Sequence, residues 1–293
     1  MGKRRRHGGS HSRNGADADT RGDRNNGWLD FAEQPMGVGE SRLAFRCRVR
    51  GGCYRGYTEG SYCIFKLFKP EGRYAQVQSV GVEDVRMQLT VKQLAEQFND
   101  VCRPTKHQQP CEIIVRDAAL GEFDDQEYLR DECGRRFRAE AGQTFLLERE
   151  IRGKFQKFNS NSGWSSGSDP IVDAFSHWSW VKSGERQLVC DCQGHRGDGS
   201  LPHRGNSFYY LLTDPAICSA SREFGEGDLG RRGIEAFFRN HTCNEWCEKL
   251  DIEYERPEYF SAAELPRRQS TTYNTLVRHD DEDDDNSDSD SYL

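Results

Sequence analysis

From Leu43 to Val49, and again from Tyr62 to Phe68, apolar and polar residues alternate along the chain. That period of two predicts two strands, and Gly51-Gly52 and Gly56 between them predict turns. Val85, Leu89, Leu94 and Phe98, with charged residues between, predict a helix over 82–98. Short apolar runs at Cys111 to Val115, Gln143 to Leu147 and Gln187 to Cys190 predict further strands. Ile234, Phe237 and Phe238 form a helical stripe between Gly233 and His241. Residues 195–207 are rich in Gly, His and Arg and are expected to form a loop. No internal repeat is present. The fold class expected is α+β, with a strand-rich front half holding one helix and a mixed back half.

Composition narrows the class. The chain has 293 residues, which suits one large domain or two lobes with tails. Mean hydropathy is −0.90, and no apolar run approaches the roughly 18 residues of a membrane span, so no membrane partner is expected. Residues 1–26 hold no apolar core of a secretory signal. The eleven cysteines are odd in number and scattered, which favours a reduced cytoplasmic or nuclear setting with some metal ligation over a disulfide framework. Net charge is −7 but polarised: about +4 over residues 1–26, −8 over 279–293 and about −3 over the body. A balanced body does not suggest a nucleic-acid binder. Lys3-Arg4-Arg5-Arg6 reads as a solvated tail, with a nuclear signal or RNA-contacting arm as alternatives.

The polar motifs carry the chemistry. Lys66 lies inside an apolar strand, where it either turns outward to water or meets an anion such as a nucleotide phosphate. Upstream, Gly37, Gly39 and Arg42 form either an ordinary turn or a phosphate-approaching one. Glu148 ends a strand that could link two lobes, its backbone free to bond an adenine edge. The segment from Lys157 to Gly163 is a polar turn. With strand alternation, Asp191 and Gln193 point to one side. A carboxylate there can orient a hydroxyl nucleophile, and the amide oxygen can ligate Mg²⁺. Asp214, in Thr213-Asp214-Pro215, can supply the carboxylate that phosphate-bound Mg²⁺ prefers. The loop Gly225-Glu226-Gly227-Asp228-Leu229-Gly230 follows no suitable strand, so it is not a dinucleotide fingerprint. His241, Cys243 and Cys247 have zinc-ligand spacing; the two cysteines, four apart, would share a helix face, and His177 in an apolar stretch is the candidate fourth ligand. Free thiols and a satisfied core histidine are the alternatives.

Taken together, these residues resemble the alpha-kinases, a family of atypical protein kinases. The resemblance runs from about Pro35 to Leu250 and includes Asp84-Val85-Arg86-Met87-Gln88, Gly153-Lys154-Phe155 through Gly163, Ala174-Phe175-Ser176-His177, Asp191-x-Gln193-Gly194, Leu212-Thr213-Asp214-Pro215, Phe224-Gly225 through Gly230, and His241-x-Cys243 with Cys247. It implies a two-lobed fold with structural zinc in the C-terminal lobe. Residues 1–27 would be a basic tail, 28–258 the kinase domain (N-lobe about 28–147, C-lobe about 148–258) and 259–293 an acidic tail. It implies that Lys66 and Arg42 contact ATP phosphates, that Glu148 sits at the hinge near adenine, that Asp191 is catalytic, and that Gln193 and Asp214 hold Mg²⁺. His177, His241, Cys243 and Cys247 would bind Zn²⁺, and the Gly225, Gly227 and Gly230 loop would meet a peptide substrate.

Two departures stand out. Residues 195–210 are an insertion between the catalytic and metal-binding acids, and Arg149-Glu150 follow the hinge glutamate where aromatic character is commoner. The activity expected is γ-phosphoryl transfer from ATP to Thr or Ser of a protein. The alternatives are a catalytically weak nucleotide-binding scaffold and a zinc-stabilised RNA-associated protein. Ser270-Thr271-Thr272, next to Arg267-Arg268, is expected to be an autophosphorylation segment or a plain spacer.

Overall fold

The computed structural model describes residues 26–72, 79–102, 111–201, 205–225, 227–252 and 257. The two charged tails and Thr271 and Thr272 lie outside the described residues.

The front half builds a six-stranded antiparallel sheet. It comprises β1 (Trp28–Phe31), β2 (Gly37–Val38), β3 (Arg42–Arg50), β4 (Tyr62–Phe68), β6 (Ala118–Glu122) and β9 (Thr144–Arg149), in the order β1-β3-β4-β9-β6 with β2 paired to β3. Alternation sorts its residues. Cys63, Phe65 and Leu67 of β4 and Phe145 and Leu147 of β9 enter one aromatic core with Phe45, Leu43 and Phe123. Phe65 stacks on Phe45 at 5.0 Å and meets Phe145 at 5.2 Å. The in-between residues Ile64, Lys66 and Phe68 therefore point to the other face. That face is also closed, because Phe68 packs with Val80 and Leu146. A sheet buried on both sides gives the near-continuous apolar run of β4.

A second sheet has the order β10 (Phe155–Lys157), β12 (Gln193–Leu201), β13 (Gly205–Thr213), β5 (Cys111–Val115), with β5 and β13 parallel. Helix α2 (Pro170–Lys182) and the two-stranded sheet of β11 (Gln187–Cys190) and β14 (Ala216–Ser219) pack beside it. α3 (Arg231–Asn240) and α4 (Glu245–Lys249) follow. A small hairpin of β7 (Glu127–Arg130) and β8 (Arg136–Ala139) lies off the main sheets.

Helix α1 (Val82–Val101) joins the two bodies. Val85 packs against the Phe68–Val80–Leu146 patch. Met87, Val91, Leu94, Ala95 and Phe98 enter the core formed by α2, β5 and β13. The lobes therefore do not divide at a single point near residue 148. α1 and β5, early in the chain, are built into the second body, because the parallel β5–β13 pairing carries that stretch across.

The sequence reading of 195–207 as a loop is corrected. Residues Gln193 to Leu201 pair with Gly205 to Thr213 in one long antiparallel hairpin. One of the glycines that suggested a loop has a packing reason: Gly197 lies opposite Tyr209, and a Cβ there would come within 2.3 Å of its ring. The insertion is thus an extension of the sheet that positions Gln193 and Thr213.

Candidate active site

The strands bring four polar side chains to the junction of the two bodies. Lys66 is only 7% exposed, so the outward-turned reading is excluded. An unpaired buried ammonium would cost several kcal/mol, and Lys66 has partners instead. β4 and β9 pair with Ile64 opposite Glu148 and Lys66 opposite Leu146, which puts Lys66 and Glu148 diagonally on one face. Their charged groups form an ion pair. Lys66 also donates to Thr213 Oγ1 at 3.1 Å, and Thr213 donates to Glu148 Oε2 at 2.7 Å. The Glu148 carboxylate thus turns to Lys66, and the backbone expected to be free for an adenine edge lies inside the sheet instead, with Ile64 of β4 and Ala118 of β6 paired to Glu148 on either side. Downstream, Arg149 is exposed and Glu150 is tied to Arg46 of β3 at 2.6 Å.

Asp214 follows β13 directly. Arg42 donates to its Oδ1 at 2.9 Å, and Lys66 stands 3.7 Å from the same oxygen. Burial alone would raise the pKa of Asp214, but Lys66 and Arg42 outweigh it and hold the carboxyl below its ordinary range. Burial likewise works against the Arg42 charge, yet Asp214 and Asp84 drive its pKa upward. Arg42 also pairs with Asp84 in the first turn of α1.

Asp191 sits between β11 and β12 with φ of 57°, and Asp214 has φ of 51°. This left-handed backbone is uncommon outside glycine and tolerated by Asp. The simple alternation expected for Asp191 and Gln193 is therefore corrected: the strand breaks at Asp191. The two still converge, because Lys157 of β10 lies opposite Gln193 and its ammonium reaches Asp191 Oδ1 at 2.6 Å. Burial pushes the Asp191 carboxyl above its ordinary range, with Lys157 opposing. Gln193 donates through Nε2 to the Asp214 carbonyl at 3.2 Å, leaving Oε1 buried with no hydrogen-bond partner. A buried, unpartnered amide oxygen next to an ionised carboxylate fits a hard, oxygen-preferring cation such as Mg²⁺. The close backbone here demands Gly194, where a Cβ would come within 2.0 Å of the Leu211 carbonyl oxygen.

The glycine loop lies beside this center. Gly225 and Gly230 have φ of 77° and 67°. One buried carboxylate, Asp228, holds the loop: it accepts from Ser219 N at 2.8 Å, Ser219 Oγ at 2.5 Å and Gly230 N at 2.8 Å. Asn161 Nδ2 donates to the Gly227 carbonyl at 3.1 Å, and the Asn161 backbone bonds Asp191, so the loop is tied to the turn at Asp191.

The His/Cys set converges in the second body. The ligand atoms of His177, His241, Cys243 and Cys247 all lie within 4.8 Å of one another. His177 Nδ1 is 3.8 Å from Cys243 Sγ, and His241 Nε2 is 3.5 Å from Cys247 Sγ. Tetrahedral zinc with bonds of about 2.0–2.3 Å needs ligand separations of roughly 3.5 Å, so two nitrogens and two sulfurs fit the ion. The route to that geometry differs from the one expected. Cys243 precedes α4, whose N-cap Asn244 accepts from Trp246 N, so the two cysteines do not share a helix face. Burial pushes the Cys247 thiol up to about 12, so binding a metal there releases protons.

Sequence reasoning left several site residues without a role. Lys157 was legible only as the start of a turn. Thr213 and Asp84 were noted only within motifs. Asp228 was passed over inside the glycine loop. Gln88 had a usable signal: it is a polar residue on the apolar face of α1, one turn after Asp84, and it is 1% exposed.

A sequence model of the alpha-kinase family matches residues 37–247. Human eukaryotic elongation factor 2 kinase is 30% identical over 239 residues, covering 77% of this chain and 28% of its own length. Alpha-protein kinase vwkA of Dictyostelium discoideum is 40% identical over 111 residues, covering 37% of this chain and 16% of its own. The chain thus spans under a third of the length of these relatives. Among solved structures, the alpha-kinase domain of myosin-II heavy chain kinase A in complex with AMP-PNP superposes with a TM-score of 0.59 at 23% identity, covering 77% of this chain and 87% of that one. The same domain has also been solved with ADP, at a TM-score of 0.58. With the match extending over most of the body and through both polar clusters, the chain belongs to the alpha-kinase family of protein kinases.

Proposed function

We propose that this chain transfers the γ-phosphoryl of ATP to threonine, and to serine, of a protein substrate. The observation that carries the reading is the closed polar ring Lys66–Glu148–Thr213, with Arg42 and Lys66 both on Asp214 and the Lys157–Asp191 pair beside it.

Phosphoryl transfer asks the protein for position and charge neutralisation. Lys66, buried, and Arg42, half-buried, supply two cations to the polyphosphate. Asp214 and the Gln193 Oε1 atom are the oxygens that would hold Mg²⁺, which neutralises charge on the phosphates when bound. Asp191 accepts the hydrogen bond of the attacking hydroxyl and orients it, and Lys157 balances the charge left at that point. The Gly225–Gly230 loop, fixed by Asp228, offers backbone groups to the peptide flanking that hydroxyl. The zinc ligands take no part in the chemistry; they tie α2 to the segment around α4.

The substrate in this reading is a protein; a weak nucleic-acid contact is left to the basic N-terminus, which lies outside the described residues, and no membrane partner is part of it. Among the described residues, no helix is long and apolar enough to cross a bilayer. None of the eleven cysteines is joined in a disulfide, and a reduced cytoplasmic setting, with the nucleus as the alternative, is the reading this supports.

The test is direct. The full chain is incubated with Mg²⁺ and γ-labelled ATP and a basic threonine peptide, followed by phosphoamino-acid analysis. Labelled phosphothreonine is expected. Nucleotide binding without transfer would overturn the reading in favor of a nucleotide-binding scaffold.

A further inference from the structure

Helix α1 touches the site at two side chains one turn apart. Asp84 and Gln88 lie on one helix face by their spacing. Asp84 accepts from Gly81 N at 2.9 Å and pairs with Arg42. Gln88 Nε2 donates to the Arg116 carbonyl at 2.7 Å and to Glu148 Oε1. Both neighbors of that nitrogen are acceptors, so the amide can stand in only one orientation.

The two contacts have one consequence. Each cation beside Asp214 is steered from α1: Arg42 directly through Asp84, and Lys66 indirectly through Gln88 and Glu148. Glu148 has two oxygens with distinct duties. Oε2 faces Thr213 and Lys66, and Oε1 faces Gln88. Without the Gln88 donor, Oε1 is a buried carboxylate oxygen lacking its partner, and the carboxylate is free to rotate about its last bond. Rotation would carry Oε2 away from Lys66 and Thr213.

We propose that Gln88 is a positioning residue for the nucleotide site: it fixes the rotation of the Glu148 carboxylate, and thereby the place of the Lys66 ammonium, so that the seating of α1 sets nucleotide affinity. The inference rests on the nucleotide-binding part of the kinase reading. It adds that the counter-ion of the strand lysine, carried by β9, is aligned by a neutral amide from the helix.

The test uses the full chain and a fluorescent ADP analogue with Mg²⁺, titrated by anisotropy. Melting curves and the separate KM values for ATP and peptide are measured alongside. Gln88→Leu removes both donors at similar volume. Losing a hydrogen bond to a charged group corresponds to roughly a tenfold weaker analogue affinity. KM for ATP should rise by a similar factor and KM for peptide stay unchanged, while the melting temperature falls by a few degrees with the cooperative native transition retained, since a buried acceptor loses its donor. In a Glu148→Gln background the same substitution should have little further effect, since Gln88 acts through Glu148.

Unchanged analogue affinity in Gln88→Leu would overturn the proposal. So would a tenfold loss that persists in full in the Glu148→Gln background, because Gln88 would then act independently of Glu148. Gln88→Met provides a second apolar variant; loss of a native melting transition in both would also overturn it, because a positioning residue leaves the fold standing. Failure of the parent reading looks different: the unsubstituted chain would then bind no analogue at all.

Discussion

Among the described residues, the polar cluster at the junction of the two bodies and the His/Cys cluster of the second body are built on opposite principles. At the junction of the two bodies, Lys66, Arg42, Glu148, Asp214 and Thr213 hold one another with full charges and short hydrogen bonds. In the second body, the ligand atoms of His177, His241, Cys243 and Cys247, two nitrogens and two sulfurs, lie within 4.8 Å of one another. The first cluster draws on four separate segments, with Thr213 and Asp214 adjacent, so its geometry exists only if both bodies are docked. Three of the four donors of the second come from residues 241–247, so most of it is local. The lesson concerns what each can do. A charged ring with an unpartnered amide oxygen can grip phosphate and a hard cation and can change during a reaction. A closed set of four soft donors is satisfied by one ion and is suited to holding elements together.

That contrast can be broken from either side. The largest effect is expected at the catalytic turn. Asp191→Ala should lower kcat by at least about 10²-fold, the scale of one positioned acid–base group, while its melting curve overlays that of the parent. A fall in melting temperature matching the fall in rate would erase the distinction between the clusters.

On the other side, Cys247→Ser should act on stability. Purified parent protein should carry about one zinc per chain. The variant should lose it and melt at least ~5 °C lower, the size expected when a structural ligand is lost from a domain of this length. Metal analysis by mass spectrometry and calorimetry read both quantities. A stable, metal-free parent would remove the zinc center from the account.

A smaller effect separates nucleotide from peptide. Asp228→Ala frees the glycine loop from its anchor at Ser219. KM for peptide should rise about tenfold, on the scale of lost hydrogen bonds to a charged group, with KM for ATP unchanged. Equal changes in both would mean that the loop serves the whole site.

The smallest expected change is in pH dependence. Burial raises the Asp191 pKa and Lys157 opposes this. Because the carboxylate is the working form, activity should climb with pH through an apparent pKa above the ordinary aspartate value of about 3.9. Lys157→Met removes the opposing charge, so the rising limb should move to higher pH. A shift to lower pH would contradict the assignment of Lys157 as the partner of Asp191.

The two clusters also differed in how far the sequence disclosed them. The His/Cys donors stood out by type and spacing, yet the reason for their convergence was misjudged, since Asn244 starts a new helix between the cysteines. In the charged ring the acids and cations were recognisable, but their pairings were not. Nothing local says that Glu148 turns to Lys66, because that depends on the β4–β9 register. Gln88 and Thr213 became meaningful only when α1 and β13 met that face. The alternating strands and the existence of α1 were legible because they are local periodicities, but the α1 stripe was only partly so: Leu89 is exposed, and the buried face runs through Met87, Val91, Leu94, Ala95 and Phe98. The 193–213 hairpin was not legible, because one of its glycines, Gly197, serves cross-strand packing against Tyr209. The mixing of α1 and β5 into the second body was likewise hidden, being a matter of a parallel pairing between segments about a hundred residues apart.

The central claim is that the ring around Asp214 performs the transfer. It is tested most directly by the rate of γ-phosphoryl transfer from Mg-ATP to a threonine peptide in Asp214→Ala, measured on protein whose melting temperature and zinc content match the parent. Asp214 is the point where Lys66, Arg42 and Gln193 meet. The account predicts a loss of at least about 10²-fold. A folded, zinc-loaded Asp214→Ala protein with near-parental transfer would contradict it.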